Sequence, residues 1–290
     1  MPDQLPMPVT APLTSAQKTT VLNLVRRAGR AEILPRFRKL DRGEILTKTG
    51  PTDLVTAADH GAEAMIARGL QMAFPSALIV GEEAAEHNAD LIKKLPDTEL
   101  AFLIDPVDGT WNFAHGLPVF STMVAACRFG QPVFGLIYDP IGDDALVSDN
   151  EGPARRHTAA GLAYPLAATN GIKPLSEMTG YMSPALMEPA DRALATARMA
   201  KFGMVTNLRC SAYEYRLLAE GAVDFVLSAK LKPWDHAAGV VLCRKSGGHS
   251  AMLDGSDYVA GQSDGFLLSA SSAATWQAVR DVFADLLGDD

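Results

Sequence analysis

Cysteine is scarce in this chain, and so are long apolar runs and positive charge. Cys127, Cys210 and Cys243 form no Cys-x-x-Cys pair, so a zinc site of that kind is unsupported and buried, reduced thiols are expected. No apolar run approaches the about 18 residues that a membrane helix needs, and we expect no membrane association. The 34 acidic residues outnumber the 26 Lys and Arg residues. This balance argues against binding to a nucleic-acid backbone, but not against a small anion held beside a bound cation.

An N-terminal leader with a charged segment followed by an apolar one is also missing, so we expect a soluble, cytoplasmic protein. Residues 1–13 are rich in proline and are expected to form a disordered tail. The remainder of the 290 residues is long enough for a sizeable core. We predict an N-terminal α+β lobe over 14–158 and a C-terminal α/β lobe over 159–290, joined in one compact unit.

Apolar periodicity predicts a chain of mixed α and β structure. The predicted helices cover 14–40, with Pro35 as a kink or end, 57–74, 187–200, 211–220, 235–246 and 272–287. The predicted strands cover 77–82, 100–105, a hairpin over 120–138, 145–147, 204–208, 223–227, 249–253 and 265–269. This order of elements fits lobes of α+β and α/β type stacked in layers.

The segment 104–113 carries the strongest chemical signal, because two acids stand at the end of an apolar run. It reads Ile-Asp-Pro-Val-Asp-Gly-Thr-Trp-Asn-Phe. Asp105 and Asp108 flank the carbonyl group of Val107, and oxygen ligands of these two kinds suit Mg²⁺. The turn at Gly109 and Thr110 leaves backbone N–H groups where a phosphate could dock. The segment predicts a metal site beside a phosphate site.

Three further segments carry acids in comparable positions. Glu82 and Glu83 end the apolar run 77–81, and Asp235 follows Trp234 at the start of a predicted helix. The segment 48–59 reads Lys-Thr-Gly-Pro-Thr-Asp-Leu-Val-Thr-Ala-Ala-Asp. Taken singly, each has an ordinary interpretation: solvated acids at a strand end, a helix cap or a turn. Their order along the chain is far more specific than any one of them.

In that order the four segments resemble the inositol monophosphatase superfamily, and the resemblance runs from about Ser15 to the C-terminus. These proteins are Mg²⁺-dependent, lithium-sensitive phosphatases of small phosphate monoesters. The resemblance implies a layered α-β-α-β-α sandwich, a homodimer, and two or three Mg²⁺ ions per site. It also implies that a small phosphorylated metabolite is the partner, without nucleic acid or membrane.

The resemblance also implies a set of metal ligands. Glu82, Asp105 and the carbonyl group of Val107 would hold the first Mg²⁺. Asp105 would bridge to a second ion, which Asp108 and Asp235 would also bind. A third, weaker ion would lie near Glu82, mostly in water. We expect the four carboxylates to form one site, although they are widely separated in the sequence.

The remaining roles follow from the same resemblance. The hydroxyl group of Thr110 would orient the attacking water, Asp53 would hydrogen-bond and polarise that hydroxyl, and Glu82 would share in catalysis. Lys48 and Asp59 receive no direct role. Glu83 is expected to contact the metal-binding residues rather than the metal itself. The predicted substrate contacts are Asp108, Gly109, Thr110, Ser211, Ala212 and Asp235.

The part of the sequence that faces the alcohol departs from the inositol-cleaving pattern. Those members carry a small Gly and an Ala where this chain has Cys210 and Tyr213, and a glutamate where it has Ser228. Trp111 stands where they have Thr; it could stack on a substrate or pack the interface between the lobes. Because a lost polar contact can change discrimination by orders of magnitude, the substrate stays open.

We expect a phosphate of inositol, a sugar or another polyol. Histidinol phosphate, fructose 1,6-bisphosphate and 3′-phosphoadenosine 5′-phosphate remain alternatives. An alternative of another class is a non-catalytic regulatory protein on the same fold.

Overall fold

The computed structural model describes residues 12–50, 53–168 and 171–288. Within this part the helices are α1 Ser15–Ala28, α2 Ala57–Ala73, α3 Glu82–His87, α4 Asp90–Lys93, α5 Thr110–Ala114, α6 Pro189–Met199, α7 Ser211–Ala219, α8 Pro233–Lys245 and α9 Ala273–Phe283. The strands are β1 Ile45–Gly50, β2 Asp53–Thr56, β3 Leu78–Gly81, β4 Ala101–Asp108, β5 Ser121–Arg128, β6 Gln131–Asp139, β7 Asp144–Asp149, β8 Arg155–His157, β9 Ala163–Pro165, β10 Thr179–Met182, β11 Met204–Thr206, β12 Phe225–Ser228, β13 His249–Met252 and β14 Leu267–Ala270.

Most predicted elements are confirmed, with three kinds of difference. The first helix is shorter than predicted: α1 ends at Ala28 and continues as a π-helical turn over Gly29–Ile33, ahead of Pro35, which cannot donate a helical hydrogen bond. The helices α3 and α4 and the strands β1, β2, β8, β9 and β10 were not predicted, because they are short and their apolar periodicity is weak. Of the predicted disordered tail, residues 1–11 lie outside the described residues, whereas Leu13 is buried.

Two mixed sheets form the frame of the molecule. The first has the order β3-β4-β5-β6-β7-β8-β9, and only its β3–β4 pair is parallel. The second has the order β11-β10-β12-β14-β13, with β10 parallel to both of its neighbours. The first sheet continues to Pro165, past the lobe boundary predicted at 158. The division into two lobes stays a prediction.

Side-chain alternation along the strands arranges the layers. On β4, Phe102 and Ile104 pack into the cluster that contains α1 and α2, whereas Leu103 packs into the cluster that contains α7 and α8. On β12, Val226 packs into the cluster that contains α7 and α8, whereas Phe225 and Leu227 pack into the cluster that contains α6 and α9. The layers therefore run helix, sheet, helix, sheet, helix, and the predicted α-β-α-β-α sandwich is confirmed.

Two expectations from composition can be compared with the described residues. All three cysteines are buried and free, as expected. None of the described helices combines the length and the apolar character needed to cross a bilayer.

Candidate active site

The site is organised by an irregularity at the end of β4. Pairing between β4 and β5 shifts register between Asp105 and Asp108, where Pro106 has no N–H to donate to the ladder. The hydroxyl group of Thr122 instead donates to the carbonyl oxygen of Pro106 over 2.8 Å. A bulge of this kind re-aims side chains, and here both carboxylates line one cavity.

This cavity has a volume of about 500 Å³ and collects residues from distant parts of the chain. Of the residues predicted from the sequence, those that line it are Asp53, Glu82, Asp105, Val107, Asp108, Gly109, Thr110, Ser211 and Asp235. Ala212 does not line it, but its N–H donates to Asp108 Oδ2. The four carboxylates therefore open onto a single cavity.

Two helix starts bring the remaining carboxylates to the cavity. Glu82 is the first residue of α3, directly after the strand β3. Asp235 lies in the first turn of α8, after Pro233 at the first helical position. Acids are favoured in a first turn by the helix dipole, so the local sequence alone accounts for both placements. Pro233 is likewise a favourable first residue, since its missing N–H has no helical partner there.

The carboxylates raise one another's proton affinity. Burial, followed by the charge of Glu82, raises the pKa values of Asp105 and Asp235 well above the ordinary range. Burial also raises the pKa of Asp108 to about 6, against hydrogen bonds from Ala212 and Cys210 that favour the charged form. Such a cluster is at its most favourable when cations or protons compensate its charge.

The donor set of this cluster fits a hard cation. Asp105 Oδ1 is buried and has no hydrogen-bond partner within the described residues, although a buried carboxylate oxygen normally has one. Carboxylates and the carbonyl group of Val107 are ligands that Mg²⁺ accepts. In the described part, however, no three His, Cys, Asp or Glu side chains are already grouped as metal ligands.

Two of the carboxylates contact donors of the protein itself. Glu82 Oε1 lies 3.1 Å from the ammonium group of Lys48. Asp108 Oδ2 accepts from the N–H of Ala212 and, over 3.1 Å, from the thiol of Cys210. A bound ion would have to compete with these donors for part of the carboxylate surface.

Thr110 has a different partner from the one predicted. Its hydroxyl group lies 2.9 Å from the carbonyl oxygen of Val107 and 3.2 Å from Asp59 Oδ1. The predicted partner, Asp53, accepts instead from the hydroxyl group of Thr49. Asp59 is buried and fixed as the capping-box residue at the start of α2, and this position directs its second oxygen at Thr110. Burial raises the pKa of Asp59 to about 7.

Glu63 is a positioning residue that the sequence analysis missed. Its carboxylate accepts from the N–H of Glu83 over 2.8 Å and from that of Ala84 over 3.0 Å. It therefore caps α3, the helix that carries Glu82. Gly81 makes room for it, since a Cβ there would lie 2.2 Å from the carboxyl carbon of Glu63. The signal was present: on α2 an acid occupies a position at helical spacing from the buried Asp59.

Lys48 ties the β1–β2 hairpin to the same helix. Its buried ammonium group lies 2.6 Å from Glu83 and 3.1 Å from both Glu82 and Glu86. Burial lowers the pKa of Lys48, but the charges of Glu82 and Glu83 outweigh it and hold the pKa above its usual range. Lys48 and Asp59, to which the sequence assigned no direct role, thus touch Glu82 and Thr110 themselves.

The departures from the inositol-cleaving pattern fall in different places. Cys210 lines the cavity and lies against Gly109, where an added Cβ would meet its sulfur at 3.2 Å. Ser228 also lines the cavity. Tyr213 is not among the lining residues, because its hydroxyl group donates to Asp139 Oδ2 over 3.0 Å. The expected effect of Tyr213 on the alcohol subsite is therefore not supported.

Comparison with known proteins identifies the family. The model of the inositol monophosphatase family matches residues 8–282. An inositol-1-monophosphatase from Mesorhizobium japonicum is 30% identical over 245 residues, which cover 83% of this chain and 87% of that protein. The Nus factor SuhB of Vibrio cholerae is 27% identical over 245 residues, covering 82% of this chain and 88% of its own.

A solved structure supports the fold. Inositol monophosphatase II from Staphylococcus aureus superposes with a TM-score of 0.78 at 21% identity, over 95% of this chain and 96% of its own. The likeness at this identity concerns the fold alone, whereas the family match extends along nearly the whole sequence. The chain belongs to the inositol monophosphatase family and is a phosphoric monoester hydrolase.

Proposed function

We propose that this chain hydrolyses a small phosphate monoester with the help of Mg²⁺ bound at the carboxylate cavity. One observation carries the proposal: Asp105 Oδ1 is buried without a hydrogen-bond partner in the described part, and Asp105 lines the same cavity as Glu82, Asp108 and Asp235. A cation would satisfy that oxygen and remove the mutual repulsion of the four groups. The acids come from β4, α3 and α8, so the site depends on the complete fold.

The proposed ligands are those implied by the family motif. Glu82, Asp105 and the carbonyl group of Val107 would hold one ion, and Asp105, Asp108 and Asp235 a second, with a weaker third near Glu82. When bound, such ions supply activation of a water molecule and stabilisation of charge on the departing oxygen. No histidine is then needed as a base, which fits His115, whose ring bonds the carbonyl oxygen of Trp111.

Thr110 would orient the attacking water. Its hydroxyl hydrogen is directed to the carbonyl oxygen of Val107 or to Asp59, so the lone pairs of its oxygen can accept a hydrogen from water. Asp59 would have the orienting role predicted for Asp53, because Asp59 Oδ1 lies 3.2 Å from the hydroxyl group of Thr110, whereas Asp53 accepts from Thr49. The water would thus be held at one side of the carboxylate cluster.

Binding of the phosphate would use the turn after β4. Gly109, Thr110 and Ser211 line the cavity, and the backbone N–H groups of the first two and the hydroxyl group of Ser211 would donate to phosphate oxygens. The side chains of Asp108 and Asp235 were also predicted to touch the substrate. The hydrogen bond from Ala212 to Asp108 indicates that Ala212 acts through Asp108.

The alcohol part of the substrate is a sugar or polyol in this proposal. Ser228 is too short to replace the glutamate that inositol-cleaving members use, so myo-inositol 1-phosphate is not favoured over related esters. Fructose 1,6-bisphosphate, histidinol phosphate and 3′-phosphoadenosine 5′-phosphate stay as alternatives. We also propose a cytoplasmic homodimer that lithium inhibits at the second ion position.

The test is phosphate release from a panel of these esters and glycerol 2-phosphate. Release should require Mg²⁺, stop in EDTA and be lost in Asp105→Asn, because that change removes the charge that both ions share. Asp97→Asn is the matched control, because Asp97 is exposed and does not line the cavity. This variant should behave like the wild type. Release that persists in EDTA or in Asp105→Asn would refute the metal mechanism. No release from any ester would point first to a substrate outside the panel and second to the non-catalytic alternative.

A further inference from the structure

Trp111 is enclosed on both faces of its ring. The guanidinium carbon of Arg209 lies 4.1 Å from the ring centre, and the imidazole of His115 stacks on the ring with a centre-to-centre distance of 4.0 Å and an angle of 25°. Two groups at these distances cannot share one face without overlapping, so they cover opposite faces. Trp111 therefore has no face left for a substrate ring, and of its two interpretations packing is supported.

The backbone of Arg209 is held in a conformation that a non-glycine residue rarely adopts. Its φ is +55°, in the left-handed region, and such a conformation persists only where the surroundings over-determine it. Its N–H donates to Asn207 Oδ1 over 2.6 Å. The preceding residue is fixed twice: Asn112 donates to the carbonyl oxygen of Leu208 over 2.8 Å, and Glu214 accepts from its N–H over 2.9 Å.

The result is a guanidinium group placed at the cavity by two independent restraints. One is the aromatic platform on α5, and the other is the fixed backbone ahead of α7. Arg209 lines the same cavity as the four carboxylates. Stacking on an aromatic ring is a favourable contact for a guanidinium, and it uses the face of the group rather than the N–H donors at its edge.

A second cation lies on the same cavity. Lys230 lines it beside Ser228, and the backbone of Lys230 is anchored by His236, whose Nε2 lies 2.9 Å from its carbonyl oxygen. Inositol-cleaving members would have an acid at Ser228, which would offset such cations. Here the cavity carries Arg209 and Lys230, and Ser228 does not supply that acid.

We propose that Arg209, seated on Trp111, and Lys230 bind a second anionic group, a phosphate or a carboxylate, on the alcohol part of the substrate. The proposal rests on the proposed function, since the carboxylate cluster must take the phosphate that is cleaved. A guanidinium matches both anions in its planar fork. It has five N–H donors, so it can bind a ligand while keeping contacts with the protein.

Matched substrate pairs test this proposal. 2-Phosphoglycerate differs from glycerol 2-phosphate by a carboxylate in place of a hydroxymethyl group, and glucose 1,6-bisphosphate differs from glucose 1-phosphate by a second phosphate. In each pair, the charged member is the ester that carries a second anion beside the phosphate to be cleaved, and the neutral member is the ester that lacks it. We expect kcat/KM of the wild type to be about tenfold or more higher for the charged member of at least one pair, which corresponds to about 1.4 kcal/mol. The pair with the larger ratio identifies the anion as carboxylate or phosphate.

Variants assign the preference to residues. Arg209→Gln should remove the preference for the charged member by raising its KM. For the neutral member, kcat/KM should stay within about twofold of the wild-type value. Arg209→Lys should restore part of the preference, because charge is kept and the fork is lost. Lys230→Gln should lower it by a smaller factor. Trp111→Leu, which removes the platform, should also raise KM for the charged member while kcat changes little.

Two results would overturn the inference. One is a wild type that prefers the neutral members of both pairs, and the other is an Arg209→Gln protein that loses activity equally on charged and neutral members. Calorimetric titration of the same pairs into Asp105→Asn separates this inference from the proposed function. Tighter binding of a charged member that depends on Arg209 supports the inference even if no ester is hydrolysed. Hydrolysis without any charge preference supports the proposed function alone.

Discussion

Glu63→Gln is the substitution for which the structure gives the sharpest expectation. The carboxylate of Glu63 accepts two backbone N–H groups at the start of α3, over 2.8 and 3.0 Å, and is only 8% exposed. Glutamine keeps the shape but offers one acceptor oxygen, and its NH₂ group then faces the second N–H. Hydrogen bonds to a buried charged group contribute about 1.5–3 kcal/mol each. We expect the free energy of unfolding to fall by about 2–4 kcal/mol, allowing for relaxation.

Urea unfolding followed by circular dichroism at neutral pH measures this loss. The midpoint should fall while the m-value stays constant, which indicates a change of stability rather than of compactness. Glu177→Gln is the matched control, since Glu177 is exposed and its change should lie within about 0.5 kcal/mol of the wild type. The half-saturating Mg²⁺ concentration should also rise, because α3 presents Glu82. A Glu63→Gln protein as stable as the control would refute the capping argument.

Three further predictions concern the site. Gly109→Ala should lower the free energy of unfolding by about 2–4 kcal/mol and remove most of the activity, because φ is +88° and the new Cβ would lie 2.8 Å from the carbonyl oxygen of Val119. Thermal unfolding and phosphate release measure these losses, and a variant that behaves like the wild type would contradict the prediction. Cys210→Ala removes a donor with which a bound ion would compete for Asp108 and should lower the half-saturating Mg²⁺ concentration about two- to tenfold, whereas Cys210→Ser, which keeps a donor, should change it less. Burial raises the pKa of Glu214 from 4.5 to about 8, so its contribution to the free energy of unfolding is complete at low pH and is lost as pH rises through about 8. In urea titrations, the free energy of unfolding of Glu214→Gln should therefore decline less with rising pH than that of the wild type. Parallel declines of the two proteins would contradict the assignment.

The parts of the fold and site that are local in sequence could be predicted. Asp105, Val107 and Asp108 share one strand end, so their common placement follows from a few bonds of backbone. The helix α2 was predicted at 57–74 and is observed at Ala57–Ala73, because its apolar stripe repeats over many turns. Signals of this kind do not depend on which other segment packs nearby.

Contacts between distant segments could not be predicted from local pattern, and the four carboxylates were expected in one site only because of the family resemblance. Thr110 has two acids upstream, Asp53 and Asp59, and the choice between them depends on which one the start of α2 buries. The stacking of Arg209 on Trp111 joins residues from separate elements, and no periodicity points to it. The short strands β8 and β10 exist because neighbouring strands pair with them, and pairing of that kind overrides a weak local preference.

The central helix α8 constrains how this molecule can change over evolution. It lies between the two sheets, and nearly all of its side chains are buried, so it lacks the solvent-facing stripe on which surface helices accumulate neutral substitutions. The close approach of Gly135 on β6, where a Cβ would lie 2.4 Å from the carbonyl oxygen of Ala238, leaves this helix little freedom to shift. Asp235 is fixed at its end. Divergence of specificity is therefore expected in the segments around Arg209 and Ser228, while α8 and the acid it carries stay unchanged across paralogues.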